Sequence, residues 1–369
     1  MTDSYTLNLD LPPQDRWTNL FTGSNKPYRK MLVKASWIPF GVGTGLAAAS
    51  LGVWYAWPAT LLVSLIVCPF IVCIWVLTIL FFLARLIAVG AACCGRGHYY
   101  RELWGISQTT GVPLNLLLFM QFGYEWMSAC TTVIVLLEGR PVMFRTMDWR
   151  ISMLKGMTVR VKAMKNGQLI FQGVTWCGCV TLYTGISYHE KEPFGIAMNC
   201  RKTYTPLIYF PWNMFRFLQG KRCSGYAIRH VLEHQMSWAE ATAYLSRQAY
   251  ISPSYMTLVG NAGGRIMAHG RFQDDFHSLF VDKDDIGGGQ VMCQPNHDWW
   301  LPDENVSWWQ NLTHSLDRRD FVECLPTIYA SSGAIFDSFL KPPIKRNDTI
   351  YACVLDPCNP YRPNIPIRI

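Results

Sequence analysis

From Ala35 to Ala84 the chain contains no Asp, Glu, Lys or Arg, an uncharged run of fifty residues. Over all 369 residues only 16% are charged, well below the quarter or so usual in soluble globular domains. A gap of this length excludes a solvated surface segment. At about 20 residues per crossing, it accommodates two membrane spans; the alternative is a buried hairpin of a soluble domain. Ser36–Trp57, rich in Gly and Ala, is expected to form the first, and Ala59–Leu83, dense in Leu, Ile, Val, Phe and Trp, the second, with Pro58 as the break between them.

Other absences narrow the field. No cysteine precedes Cys68, so the N-terminal tail cannot be stapled covalently to the rest of the chain. The thirteen cysteines show no zinc-ligand spacing, and no metal or organic cofactor is implied. Met1–Tyr28 has no apolar core and carries acids near its start, so no cleaved secretory leader is expected there. There is no internal repeat, no low-complexity tract and no basic run interleaved with aromatics, so nucleic acid is not an expected partner. The net charge of +8 instead clusters beside the uncharged run, at Lys26, Arg29, Lys30 and Lys34 before it and Arg85, Arg96 and Arg101 after it. Such clusters favour an anionic lipid surface.

What is present divides by periodicity. Tyr99–Ala129 is predicted to be helical. Past Cys130 the pattern changes to period two with β-branched residues, which predicts strands. Thr131–Leu137 and Val142–Arg145 form one expected hairpin around Glu138-Gly139. Val159–Met164 and Gln168–Phe171 form another around Asn166-Gly167, a strong hairpin signal. Strands are also predicted at Cys177–Thr184, Gly195–Met198, Tyr255–Val259 and Arg265–His269, with helices at Met214–Arg222 and Ala227–His234. Ser237 and Glu240 have the spacing of a capping box. Strands, then helices, then strands imply an α+β protein whose sheets are covered by helices. Cys177 and Cys179 are expected on one strand face, and Cys353 and Cys358 bracket a turn that a disulfide could close in an oxidising lumen. Cys93-Cys94 offers either palmitoylation sites or packing.

Cys130 opens a predicted strand, and Arg145 and Asp148 return on its partner. A cysteine freed at a new N-terminus carries its own base, because its α-amino group can take the thiol proton. The alternative for a single cysteine is inert burial. Around Cys130 the chain resembles a known family. Leu7–Pro13 followed by Arg16-Trp17, the Tyr100–Cys130 segment, Cys130-Thr131, Arg145 to Asp148 and Val174–Gly185 occur in that family's order and spacing. So do Val259-Gly260-Asn261, Gln294-Pro295-Asn296-His297-Asp298-Trp299, Asp317-Arg318-Arg319 and Asp356-Pro357-Cys358. The family is that of acid ceramidase and the N-acylethanolamine-hydrolysing acid amidase, and the terminal stretches look closer to the former.

The resemblance implies an N-terminal-nucleophile hydrolase, a four-layer αββα sandwich activated by self-cleavage before the cysteine. Cleavage would fall between Ala129 and Cys130, leaving the two subunits associated. The implied organisation is residues 1–34 packing on the catalytic body, 35–90 as a transmembrane helical hairpin, 91–129 as the rest of the small subunit, and 130–369 as the catalytic subunit. Cys130 would be the nucleophile, Asp148 would orient its amine, and Arg145 would add positive potential beside the thiol. Asn296 would donate its amide to the oxyanion, and Arg318 would support the site by charge or merely pair with Asp317 or Asp320. Two positions depart from the family pattern. Cys200 stands where an acid is usual, and Pro295, just before Asn296, removes a backbone donor.

The implied activity is hydrolysis of a lipid amide within a bilayer, ceramide-like or N-acylethanolamine. A catalytically silent lipid-binding relative is the alternative from another class. If the residues flanking the hairpin share one side, the number of crossings is even. The sequons at Asn305, Asn311 and Asn347 favour a luminal, endomembrane or lysosomal catalytic region. Basic residues on both flanks favour a cytosolic one. Both orientations stand.

Overall fold

The computed structural model describes residues 4–22, 26–36, 97–122, 129–201, 212–213, 215–217, 219–271, 275–300, 314–359 and 365–368. The chain divides into two compact units, one of Leu11–Gln121 and one joining Met1–Asp10 to Phe122–Ile369.

In the first unit, helix α1 (Lys26–Ser36) ends where the uncharged run begins. The expected transmembrane hairpin, residues 35–90, lies outside the described residues apart from Ala35 and Ser36, as do Cys93 and Cys94. Among the described residues no helix is long and apolar enough to cross a membrane. The predicted helix from Tyr99 is two helices, α2 (His98–Thr110) and α3 (Leu114–Phe122). The break lies at Gly111, whose φ of 78° is left-handed, and at Pro113, which cannot donate into a continuing helix. Buried Glu102 on α2 accepts hydrogen bonds from Trp17 Nε1 (2.6 Å) and Arg16 Nη1 (3.0 Å). That ties the Arg16-Trp17 motif to the helix.

The second unit is built on two sheets. The larger has eight strands in the order β1-β4-β5-β6-β7-β8-β9-β10. These are β1 (Ser4–Asn8), β4 (Thr158–Lys165), β5 (Gln168–Trp176), β6 (Thr184–Ser187), β7 (Phe194–Cys200), β8 (Ser254–Gly260), β9 (Gly263–His269) and β10 (Phe276–Asp282). The smaller runs β11-β2-β3-β13-β14, with β12 added beside β2. Its members are β2 (Ala129–Leu137), β3 (Arg140–Asp148), β11 (Met292–Gln294), β12 (Ile328–Tyr329), β13 (Thr349–Leu355) and β14 (Ile367–Arg368).

Both predicted hairpins form. Glu138 and Gly139 have φ values of 51° and 76°, and Asn166 and Gly167 have 50° and 74°. Two consecutive left-handed residues match the twist of the flanking strands. The predicted strand Cys177–Thr184 is corrected. Cys177 and Cys179 lie in a turn after β5, closed by Cys179 N donating to Trp176 O (2.9 Å), and the strand begins only at Thr184. Gly178, at φ 89°, turns the chain there and removes the shared strand face. The disulfide that could have closed the Cys353–Cys358 turn is not formed, because both cysteines are free. Cys353 sits inside β13, where the backbone advances about 3.3 Å per residue, not in a turn.

Period two sorts the smaller sheet's faces. Val133, Val135, Leu137, Val142 and Phe144 pack outward against helices α6 (Ser315–Glu323) and α7 (Ser332–Phe339). There Phe144 stacks on Phe339 at 5.2 Å and meets Phe336 edge-on at 6.0 Å. Each such pair contributes roughly 0.5–1.5 kcal/mol beyond its burial. The other face meets the larger sheet, and Gly195 of β7 allows the close approach. A Cβ there would stand 2.9 Å from Val259 Cγ1 and 3.2 Å from Leu355 Cβ. Helices α4 (Ser224–Glu233) and α5 (Trp238–Ser246) lie on the larger sheet's far side, where Leu232 Cδ1 approaches Gly185. The result is helices, sheet, sheet, helices.

Candidate active site

The β2–β3 register places the site. Ala129 opposes Asp148, Cys130 opposes Met147, and Thr132 opposes Arg145. Cys130, Thr132, Arg145 and Met147 therefore point between the sheets, whereas Thr131, Thr146 and Asp148 point toward the helices. Arg145 lies diagonal to Cys130, within reach of a long side chain.

On the inner face, Arg145 Nη2 stands 3.5 Å from Cys130 Sγ. Its guanidinium is fixed by donating to Tyr183 O (2.7 Å) and Met198 O (2.6 Å). Met147 Sδ lies 3.7 Å from the same sulfur. All three side chains are fully buried. A fixed cation next to the sulfur stabilises negative charge developing there.

On the outer face, Arg318 of α6 donates to Cys130 O (2.7 Å), Thr131 Oγ1 (2.6 Å) and Asn296 Oδ1 (2.9 Å). It also pairs with Asp148 Oδ2 at 3.6 Å. Asp317, its neighbour in sequence, pairs with His314 instead (3.0 Å). Burial raises the Asp148 carboxyl to about 6, and Arg318 and a hydrogen bond from Thr349 oppose that rise. Burial likewise lowers the Arg318 guanidinium, while Asp148 counters it.

Asn296 joins the two faces. Its Oδ1 accepts from Cys130 N (2.9 Å) as well as from Arg318. Its Nδ2 donates to Cys200 O (2.8 Å). The orientation is determined by chemistry, since two donors face one atom and an acceptor faces the other. One hydrogen of the amide nitrogen predicted to serve an oxyanion is thus engaged by the Cys200 backbone, and the amide oxygen addresses the Cys130 nitrogen. The Cys200 side chain itself is buried.

Several supporting groups were not predicted. Ser315 Oγ accepts from Asn296 N (2.8 Å) and lies 2.7 Å from His297 Nδ1. Asn199 Nδ2 donates to Gln294 O (2.6 Å) and Pro295 O (3.2 Å). Arg201 grips Asp298 through Nε (2.6 Å) and Nη2 (2.8 Å), and Tyr255 donates to the same carboxylate (2.6 Å). Pro295 therefore sits in a segment braced at both ends. One sequence signal could have found Ser315, because it lies three residues before Arg318 on one helical face. Among the described residues no cluster of His, Cys, Asp and Glu is arranged to hold a metal ion.

All five predicted residues, Cys130, Arg145, Asp148, Asn296 and Arg318, thus meet at one point. Comparison with known proteins adds to this. No protein-family model matches the chain. Acid ceramidase of Bos taurus is 24% identical over 385 residues, covering 95% of this chain and 82% of that protein. An uncharacterised protein of Acanthamoeba polyphaga mimivirus is 25% identical over 260 residues, 69% of this chain and 76% of its own length. The solved structure of the Caenorhabditis elegans N-acylethanolamine-hydrolyzing acid amidase ortholog matches with a TM-score of 0.54 at 20% identity. It covers 65% of this chain and all of that one. The chain is thus similar to acid ceramidases in sequence and to an N-acylethanolamine-hydrolyzing acid amidase in fold. Its two packed sheets between helices share the fold of that amidase.

Proposed function

We propose that the protein is a membrane-anchored lipid amidase that hydrolyses the N-acyl bond of ceramide-like sphingolipids to fatty acid and sphingoid base. The observation that carries this reading is that the nitrogen and the sulfur of Cys130 are addressed at once. Its nitrogen donates to Asn296 Oδ1 at 2.9 Å, and its sulfur stands 3.5 Å from Arg145 Nη2. Self-cleavage between Ala129 and Cys130 converts that nitrogen into an amine of reference pKa about 7.7–8.0, fit to act as base.

In the reaction we assign, the α-amine takes the thiol proton while sulfur attacks the amide carbonyl. The C–N bond breaks, the amine leaves with that proton, and water hydrolyses the acyl-thioester. Arg145 stabilises charge on sulfur. Asp148, through Arg318, and Asn296 orient the nucleophile's nitrogen. Asn296 Nδ2 carries two hydrogens, so beside the one given to Cys200 O a second can serve the oxyanion, a contact worth roughly 3–4 kcal/mol in the transition state. Residues 35–90 act as the tether, which raises the enzyme's effective concentration near bilayer substrates, and the small subunit stays associated after cleavage. An acidic endomembrane compartment suits a site whose carboxyl is raised by burial to about 6.

Protein taken from native membranes tests this directly. Two fragments separated at the Ala129–Cys130 bond, an intact chain in Cys130→Ala, and fatty acid released from ceramide are expected. Active material in which residue 130 is still peptide-linked to Ala129 overturns the mechanism. The fold likeness to the worm amidase favours a second reading, N-acylethanolamine hydrolysis by the same chemistry. Competition between the two lipid amides decides between them.

A further inference from the structure

Thr349 enters the sequence as the last residue of the sequon Asn347-Asp348-Thr349. The structure gives its hydroxyl a different use. Thr349 opens β13 directly opposite Asp148 in the β13–β3 register, and its side chain is buried. Its Oγ1 accepts from Arg346 N at 2.9 Å and donates to Asp148 Oδ1 at 2.7 Å. A hydroxyl has one hydrogen. With the Arg346 amide occupying a lone pair, that hydrogen has Asp148 as its acceptor. Oδ1 is therefore an acceptor, and a proton on the carboxyl belongs on Oδ2. Among the described residues no hydrogen-bond donor reaches Oδ2, and Arg318 Nη1 stands 3.6 Å from it.

We propose that Thr349 is a positioning residue of the active site, holding Asp148 so that its proton is gained and lost at Oδ2, the oxygen facing Arg318. This rests on the proposed amidase reading. The turn carrying Thr349 is braced for the task. Arg346 donates to Asp348 Oδ1 (2.8 Å), Thr349 N donates to Arg346 O (3.2 Å), and Trp149 N donates to Asp348 O (2.7 Å). The charged groups facing Asp148 are Arg318 from α6 and Arg346 and Asp348 from this turn. Thr349 favours the ionised carboxylate, as do the two arginines, and Asp348 disfavours it. Only Thr349 touches Oδ1 by a hydrogen bond among the described contacts.

Three substitutions separate this role from the sequon. Thr349→Val removes the hydroxyl and the sequon together, Asn347→Gln removes only the sequon, and Thr349→Ser keeps both. In Thr349→Val the acid limb of the amidase pH–rate profile should move up by about one pH unit, since a hydrogen bond to a charged group is lost. Thr349→Ser and Asn347→Gln should keep the parent limb. An unmoved limb in Thr349→Val overturns the proposal, as does a limb moved equally by Asn347→Gln. If Thr349→Val does not fold, Thr349→Ala takes its place, and a displaced limb in Thr349→Ser counts against the idea on its own. Thermal unfolding across pH 4–8 reads the same titration without substrate. The Val variant should lose more stability above the Asp148 titration than below it. If the parent hydrolyses no lipid amide, the functional reading fails, while this unfolding difference still decides the role of Thr349.

Discussion

The two faces of the β2–β3 ribbon solve the same problem, a buried arginine, in different ways. On the inner face Arg145 is held by the Tyr183 and Met198 carbonyls, dipoles that do not titrate. On the outer face Arg318 is matched with a carboxylate, Asp148, whose charge depends on pH. The inner face can therefore keep a constant potential at the sulfur. The outer face carries the pH response into the backbone of Cys130, the proposed nucleophile, through Arg318 and Cys130 O.

The largest effect that would break this comparison lies on the inner face. Arg145→Leu should lower kcat/KM by about 10²–10³, the scale of losing one preorganised electrostatic contact, and equally at every pH. Arg145→Lys should recover little, because an ammonium lacks the planar fork that spans two carbonyls while facing the sulfur. Steady-state rates from pH 4 to 8 check this. A loss confined to one limb would mean that the inner face also titrates.

The next effect belongs to the outer face. The Asp148 pKa is raised by burial from 3.8 to about 6, so between these values the folded protein binds more protons than the unfolded one. The contribution to stability is fully present below about pH 4 and is lost as pH rises through 6. It amounts to at most about 3 kcal/mol, from two units at 1.36 kcal/mol each. His269 acts in the opposite sense. Burial and Arg201 lower it to about 3, so its contribution is present above about 6.5 and fades as pH falls. The difference between parent and Asp148→Asn in urea unfolding isolates the first term. It should shrink by that amount between pH 4 and 7.5, and a flat difference would remove the outer face from the pH response.

What was readable beforehand follows the range of the interactions. The Glu138-Gly139 and Asn166-Gly167 hairpins are local, and two residues fix each. The five predicted site residues were legible through resemblance, but their partners were not. Asp317 and Asp320 looked like partners for Arg318 because they are near in sequence, yet residues one and two apart on a helix do not face each other. The actual partner comes from β3. Thr349 was invisible as a site residue because its contact spans 201 positions and depends on a β13 pairing that no local pattern announces. The parallel pairing of β1 with β4 was hidden for the same reason. The helix break at Gly111 and Pro113, by contrast, was written in the sequence and outweighed by the apolar pattern around it.

A substitution touching neither face sets the baseline for all of these. Ser237 caps α5, accepting from Glu240 N at 3.3 Å while its own N donates to Glu240 Oε2 at 2.9 Å. Ser237→Ala should cost about 1 kcal/mol of stability. Its kcat/KM and pH limbs should be those of the parent, because no catalytic group lies on that helix. Fluorescence-monitored urea unfolding and the amidase pH profile measure the two quantities together. If this distant change moved the acid limb as Thr349→Val is expected to, shifts of that size would reflect general loosening of the fold and could no longer be read as the response of one carboxyl.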